Sequence, residues 1–283
     1  MSMKGFSRRL LTAVIFVGTM LAGIFINKWT FFTLFFVITG LCLWEFLSLT
    51  LRKSTFIWTH RLRLLLGIAL GLSPFAYHYF LRFPVFDFLF FDFLSLLVLL
   101  VGLVFILFFL ELLDGTNSDM RNVAFATLGL VYIGLPFFFI YFLSDAYMEF
   151  TPNIVFGIVS MTWVNDTGAY LAGSLLGKTP FVPRISPKKT LEGVLGGTVA
   201  TLAIAFLEAA VFDELLLCQW VTLAVIVSVF GPAGDLVESL IKRQLQVKDA
   251  GTLLPGHGGF LDRFDSLIFV LPFATLFIYF ISG

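Results

Sequence analysis

Two stretches of this sequence hold residues whose types and spacing suit phosphate and metal chemistry. The first is Arg184-Ile-Ser-Pro-Lys-Lys-Thr-Leu-Glu-Gly193. Ser186 suits a helix N-cap and Pro187 suits the first helical position, so a helix is expected to start here. The free N–H groups and dipole of its first turn would attract an anion. Lys188 and Lys189 add two positive charges at an end where cations are disfavoured. A bound phosphate would offset them. Alternatively they are anchors at the lipid headgroups.

The second stretch runs from Gly231 to Ser266 and contains Asp235, Asp262 and Asp265. The i,i+3 spacing of Asp262 and Asp265 puts both carboxylates on one helix face. Three carboxylates near a membrane surface are costly unless they are paired or hold a cation. Hard oxygen donors with few histidines point to Mg²⁺. The alternative is a set of salt bridges to Lys242, Arg243 or Arg263. Between these acids lies Pro255-Gly-His-Gly-Gly259, where glycines allow close backbone approach to a ligand. It is not a Walker A loop, because no Gly-Lys-Ser/Thr follows. His257 could contact phosphate or act as an acid, or it could be incidental. Asp166 falls in the middle of an apolar stretch, where an acid is either functional or a polar link between helices. Gly168, Gly173 and Gly177 around it favour close helix packing. Glu45 and Glu208 receive no role.

The elements that must position these residues are membrane helices. Of the 283 residues, 13% are charged and 59% are hydrophobic, against about 25% charged in a soluble domain. The apolar residues come in blocks of about 20, the length of a helix that crosses a bilayer. They lack the period-two alternation of barrel strands. The expected fold is therefore all-α and polytopic. About nine spans can be drawn, at 8–26, 30–51, 62–81, 93–113, 122–144, 153–176, 190–212, 215–238 and 264–282. The first could be read as a signal peptide. Asn27 and Lys28 follow it instead of a small-residue cleavage site, so it is taken as a membrane helix. Cys42 and Cys218 are expected to be small core residues, not a disulfide or a metal pair.

With the N-terminus in the cytosol, the outer face would hold only Lys28 and Arg82 of the 18 basic residues. That asymmetry favours an N-in, C-out orientation. The chain is expected to be one membrane domain, 1–283. Residues 1–150 would be mainly structural and 151–283 would carry the chemistry.

Together these residues resemble the phosphatidate cytidylyltransferase (CDP-diacylglycerol synthase) family. The resemblance is carried by Ser239, Lys242-Arg243, Lys248-Asp249, Gly256-His-Gly-Gly259, Asp262-Arg263 and Asp265. Asn165-Asp166, Ala169-Tyr170, Ser186-Pro-Lys-Lys-Thr190, Glu192-Gly193 and Gly234-Asp235 resemble further family segments. The matching region covers about 155–268. The resemblance implies that phosphatidate and CTP give CDP-diacylglycerol and pyrophosphate in phospholipid biosynthesis. It implies Mg²⁺, with a second cation left open, and a homodimer. It implies an inner-membrane, multi-pass enzyme with its site facing the cytosol and no nucleic-acid partner. The metal falls to Asp235, Asp262 and Asp265. Lys188, Lys189, Lys242, Arg243 and Lys248 fall to the phosphates. Asp166 and His257 support the reaction, and Ser186, Arg263, Gly258 and Gly259 complete the substrate site.

The implied chemistry agrees with the residues present. The nucleophile would be the phosphate of phosphatidate, which is largely ionised at neutral pH because its second pKa is about 6. Positioning and charge neutralisation then matter more than a strong base. Two alternatives remain. One is a CTP-using lipid kinase, which would transfer the γ-phosphate. The other is a transporter with Asp166 as a coupling residue, which should have polar residues spread through the depth of several spans.

Overall fold

A computed structural model of the protein describes residues 3–52, 54, 57–81, 93–115, 118–144, 150–248, 250–251 and 259–282. The chain forms α1 (Met3–Phe25), α2 (Lys28–Thr50), α3 (Ile57–Leu81) and α4 (Phe93–Leu113). Helix α5 (Arg121–Gly129) runs through a π-helical turn, Leu130–Gly134, into α6 (Leu135–Ser144). Then come α7 (Asn153–Leu176), the strands β1 (Pro180–Val182) and β2 (Ser186–Thr190), α8 (Leu191–Val211) and α9 (Leu217–Gln244). A 3-10 turn, Leu261–Arg263, leads into α10 (Asp265–Ser282).

The architecture is all-α apart from one small hairpin among the described residues. An apolar segment in lipid has no water to satisfy its backbone, so it closes its own hydrogen bonds as a helix. Six helices among the described residues are long and apolar enough to cross a membrane: Lys28–Thr50, Leu94–Leu113, Arg121–Ser144, Leu191–Val211, Leu217–Gln244 and Asp265–Ser282. A shorter apolar helix covers Thr12–Phe25.

The helix expected to begin at Ser186 begins later. Ser186–Thr190 is strand β2, paired antiparallel with β1 through Pro180↔Thr190 and Val182↔Ser186. The cap is Thr190, whose hydroxyl accepts from the Gly193 N–H at 3.2 Å. The hairpin wins because it is tied down at its base. The Leu191 N–H donates to the Thr179 carbonyl at 2.9 Å. The Glu192 carboxylate accepts from the Lys178 and Thr179 amides at 3.1 Å. Pro187 is tolerated because this is an edge strand. Cys42 is buried as expected, but Cys218 is exposed, one residue into the first turn of α9.

The chain divides into two compact units. The first comprises Met1–Phe138 with Ala250–Leu261, and the second Phe139–Asp249 with Asp262–Gly283. In the first, Phe31, Phe35, Phe46 and Phe137 are fully buried. A Cβ on Gly134 would strike the backbone of Gly71, so α3 and the π-helical turn touch through two glycines. Arg63 is 1% exposed. Its Nε lies 2.6 Å from Glu111 Oε1, and its Nη2 lies 2.8 Å from Asp114 Oδ2. Asn122 and the Asp119 amide also donate to Glu111, at 3.1 and 2.8 Å. At the surface Asp119 bridges Arg52 and Arg121, and the hydrogen bonds from Arg121 hold its carboxyl below the usual range.

Removing one member of a buried ion cluster strands the others. Arg63→Ala should therefore destabilise the first unit by about 3–5 kcal/mol, seen as a lowered thermal midpoint in detergent. An unchanged midpoint would mean that the two carboxylates carry no charge for Arg63 to balance.

In the second unit α7 and α8 pack through small residues. A Cβ on Gly197 would lie 2.8 Å from the Asn165 carbonyl, and one on Gly193 would lie 2.9 Å from that of Ala169. Such small faces let backbones approach and polar side chains bond across the seam. Here Asn165 donates to the Thr201 hydroxyl at 3.0 Å. Helix α10 meets α9 at Gly234, where a Cβ would lie 2.7 Å from that of Phe269. Phe230 and Phe273 stack nearby, with centroids 3.6 Å apart.

Candidate active site

All the charged groups described next belong to the second unit. Asp235 and Glu238 stand one turn apart on α9, and Lys242 follows one turn later. The i,i+3 and i,i+4 spacings put all three on one face. Gly234 lets the start of α10 reach this face, because its missing side chain leaves room for the backbone of Asp265 and Ser266. One oxygen each from Asp235, Glu238 and Asp265 lies within 4.8 Å of the others. Glu238 and Asp265 are 1% and 6% exposed. Glu238 Oε2 bonds Lys242, while the buried Oε1 has no hydrogen-bond partner. Asp265 accepts from the Ser266 amide at 2.7 Å.

Two lysines partly compensate these acids. Lys189, on β2, places its Nζ 2.5 Å from Asp235 Oδ2 and 3.4 Å from the Pro232 carbonyl. Lys242 bridges Glu238 and Asp262, at 2.6 Å to each. Ser239 donates to Asp235 Oδ1 at 3.2 Å. Asp166, on α7, is within electrostatic reach of Asp235, Lys189 and Arg263. Asp265 in turn feels Glu238, Asp235 and Asp166. Carboxylates this close repel one another unless a cation lies among them.

Beside the cluster opens a cavity of about 440 Å³ whose lining includes Asn165, Asp166, Ser186, Lys188, Lys189 and Asp235. Its size falls within the usual range of small-molecule sites, about 300–1,000 Å³. Its lining holds both acids, Asp166 and Asp235, and cations, Lys188 and Lys189, a mixture that suits a polyanion carried in with a divalent cation.

The sequence-derived residues are distributed as follows. Asp235, Asp265, Asp166, Lys189, Lys242 and Asp262 come together. Ser186 and Lys188 line the adjoining cavity. Arg243, Lys248 and Arg263 are exposed, and Gly259 is buried. His257 and Gly258 lie outside the described residues. Among the three acids expected at the metal, Asp262 is held by Lys242, and Glu238 is the third carboxylate beside Asp235 and Asp265. The signal for Glu238 was present in the sequence. It repeats at Asp235/Glu238 the i,i+3 pairing that drew attention to Asp262/Asp265.

Residues 7–281 match the model of the cytidylyltransferase family. Phosphatidate cytidylyltransferases of three staphylococci are similar. That of Staphylococcus saprophyticus is 40% identical over 167 residues, 58% of this chain and 62% of the relative. Those of Staphylococcus aureus (strain COL) and Staphylococcus epidermidis are 41% and 40% identical over the same length and shares. The matched stretch thus spans 62% of the length of these relatives.

Proposed function

The chain belongs to the cytidylyltransferase family, and we propose that it transfers the cytidylyl group of CTP to phosphatidate, giving CDP-diacylglycerol and pyrophosphate. The observation that carries this reading is the junction of Asp235, Glu238 and Asp265 with Lys189 at the edge of a cavity that Lys188 also lines. The staphylococcal relatives named for this activity support the choice of substrates.

The donor set fits Mg²⁺. It consists of carboxylate oxygens within 4.8 Å of one another, and Glu238 Oε1 is buried without a hydrogen-bond partner. Asp235, Glu238 and Asp265 would hold the ion. Asp262, here paired with Lys242, is proposed as a further ligand. Bound there, Mg²⁺ would polarise the α-phosphoryl group and neutralise the charge of departing pyrophosphate. A second cation is left open.

The protein's own groups do the remainder. Lys188, Lys189, Lys242, Arg243 and Lys248 would neutralise the phosphates of CTP and phosphatidate, with Ser186 and Arg263 completing the substrate site. His257 would support the reaction, and Gly258 and Gly259 are assigned to substrate binding by the family resemblance. Asp166 lines the same cavity and would support the reaction. No general base is required, because the attacking phosphate is already ionised. The gain comes from bringing two polyanions together in a fixed orientation.

The chain is further proposed to form nine membrane spans as one membrane domain, with residues 151–283 carrying the chemistry. The N-terminus and the site would face the cytosol from the inner membrane, and the protein would act as a homodimer. The skew of basic residues supports the orientation, and the family resemblance supports the dimer. Acyl chains would remain in the bilayer while the headgroup enters the cavity.

Purified protein given CTP and phosphatidate should release pyrophosphate with magnesium and none with chelator. Solute movement without pyrophosphate release would favour a transporter. Lys188→Ala should raise the KM for CTP or phosphatidate about tenfold, as expected when one charge-assisted contact worth about 1.5 kcal/mol is lost. Unchanged constants for both substrates would reduce Lys188 to a headgroup anchor.

A further inference from the structure

Between α4 and α5, within the first unit, lies an open hollow of about 510 Å³. Its lining includes Val104 and Phe108 of α4, and Met120, Ala124, Leu128 and Val131 along α5 and the π-helical turn. Thr127 also borders it, but its hydroxyl donates to the Val123 carbonyl of its own helix at 2.9 Å. The hollow therefore offers apolar contact and little hydrogen bonding. From Met120 to Val131 its wall runs about 16 Å at the helical rise, a length that suits an acyl chain. Both bordering segments, Leu94–Leu113 and Arg121–Ser144, are long and apolar enough to cross a membrane.

Arg121 stands at one end of this hollow. Its i,i+3 and i,i+7 spacing to Ala124 and Leu128 puts it on their helix face. The side chains of Arg121 and Arg52 are each 64% exposed, and both meet Asp119 Oδ2, at 2.8 and 3.2 Å. One carboxylate thus serves two guanidiniums. A guanidinium is a fork of N–H donors that matches a phosphate, and two of them offer more donors than one carboxylate can take. The pair is also held from within. The Arg52 N–H donates to Asn122 Oδ1 at 2.9 Å, and the Asp119 N–H to Glu111 Oε2 at 2.8 Å. Glu111 and Asp114 are buried against Arg63, so their negative charge lies inside and the two guanidiniums lie outside.

We propose that the hollow binds an anionic phospholipid, with one acyl chain along α4 and α5 and the phosphate between Arg52 and Arg121. Basic groups at the ends of membrane helices are suited to such headgroups. The charges select lipid over a helix from a second copy, which would have to bring its own carboxylate to the same end. A phospholipid carries the apolar chain and the anion joined in the required order. The site shares no residue with the candidate active site, and its test does not depend on the reaction.

The test measures binding of phosphatidylglycerol, and of phosphatidylcholine with the same acyl chains, to the delipidated full-length protein in detergent. The readouts are native mass spectrometry and the shift in thermal midpoint. Phosphatidylglycerol should bind about tenfold tighter, as when one charge-assisted hydrogen bond is gained. Arg52→Gln combined with Arg121→Gln should erase that preference. Ala124→Trp, which fills the hollow, should weaken both lipids about tenfold by denying the chain its apolar contact. Exposed ion pairs add little stability, so the arginine variant should keep the wild-type midpoint when no lipid is present. Equal affinity of wild-type protein for the two lipids would overturn the proposal. So would a preference that survives loss of both arginines, or lipid binding unaltered by Ala124→Trp. Inorganic phosphate that shifts the midpoint as far as phosphatidylglycerol would reduce the site to a bare anion contact. A dimer that Ala124→Trp dissociates, with lipid binding intact, would give the hollow to a second copy instead.

Discussion

Asp265→Ala is expected to abolish cytidylyl transfer while the protein stays folded in the membrane. The carboxylate is 6% exposed at the first position of α10 and lies within 4.8 Å of those of Asp235 and Glu238. A divalent cation in such a site is worth several kcal/mol of charge stabilisation, and about 4 kcal/mol is roughly a thousandfold in rate. Asp265→Asn, which keeps the shape and loses the charge, should be nearly as inactive. Removing an acid from among acids relieves repulsion, so neither variant should unfold the protein. The check is turnover at saturating magnesium, together with a monodisperse elution profile. Magnesium-dependent activity within tenfold of wild type would remove Asp265 from the metal.

The second large effect comes from a residue with no side chain. In most exposed helices Gly→Ala stabilises by about 1 kcal/mol. At Gly234 the new Cβ would sit 2.5 Å from the Asp265 carbonyl oxygen and 2.7 Å from the Phe269 Cβ. Ordinary contact needs about 1 Å more, so α10 must retreat, and Asp265 with it. A displacement of that size costs about a hundredfold in rate. Gly231→Ala is the matched control. Its Cβ would meet nothing closer than 3.9 Å, and full activity is expected. If Gly234→Ala and Gly231→Ala behave alike, the contact between α9 and α10 does not set the site.

Much of this was legible in the sequence, for identifiable reasons. Helices reveal themselves through apolar runs of bilayer length. The acids Asp235 and Asp265 stand out because charge is scarce in such runs. Their partner Glu238 is one helical turn from Asp235, but it reads equally well as the i,i+4 partner of Lys242, which it also is. Spacing along one helix cannot tell which acid a neighbouring helix will meet. That is decided by Gly234, whose importance depends on what packs there. The hairpin at Ser186–Thr190 was hidden for a related reason. Ser-Pro reads locally as a helix start, whereas the bonds that make it a strand come from Pro180–Val182 and Thr179. The buried cluster at Arg63 was hidden because its carboxylates, Glu111 and Asp114, lie far along the chain. Glu45 gave no signal, because its partner is a backbone amide more than 200 positions away.

The central claim is that the α-phosphoryl group of CTP moves to the lipid. Its most direct measurement is positional labelling: purified protein, phosphatidate and magnesium are supplied with CTP radiolabelled at either the α- or the γ-phosphate. The account predicts that α-label enters the organic-extractable lipid and that γ-label leaves as pyrophosphate. Lipid labelled from the γ-position alone would mean that the site runs a kinase reaction, and the account would be wrong.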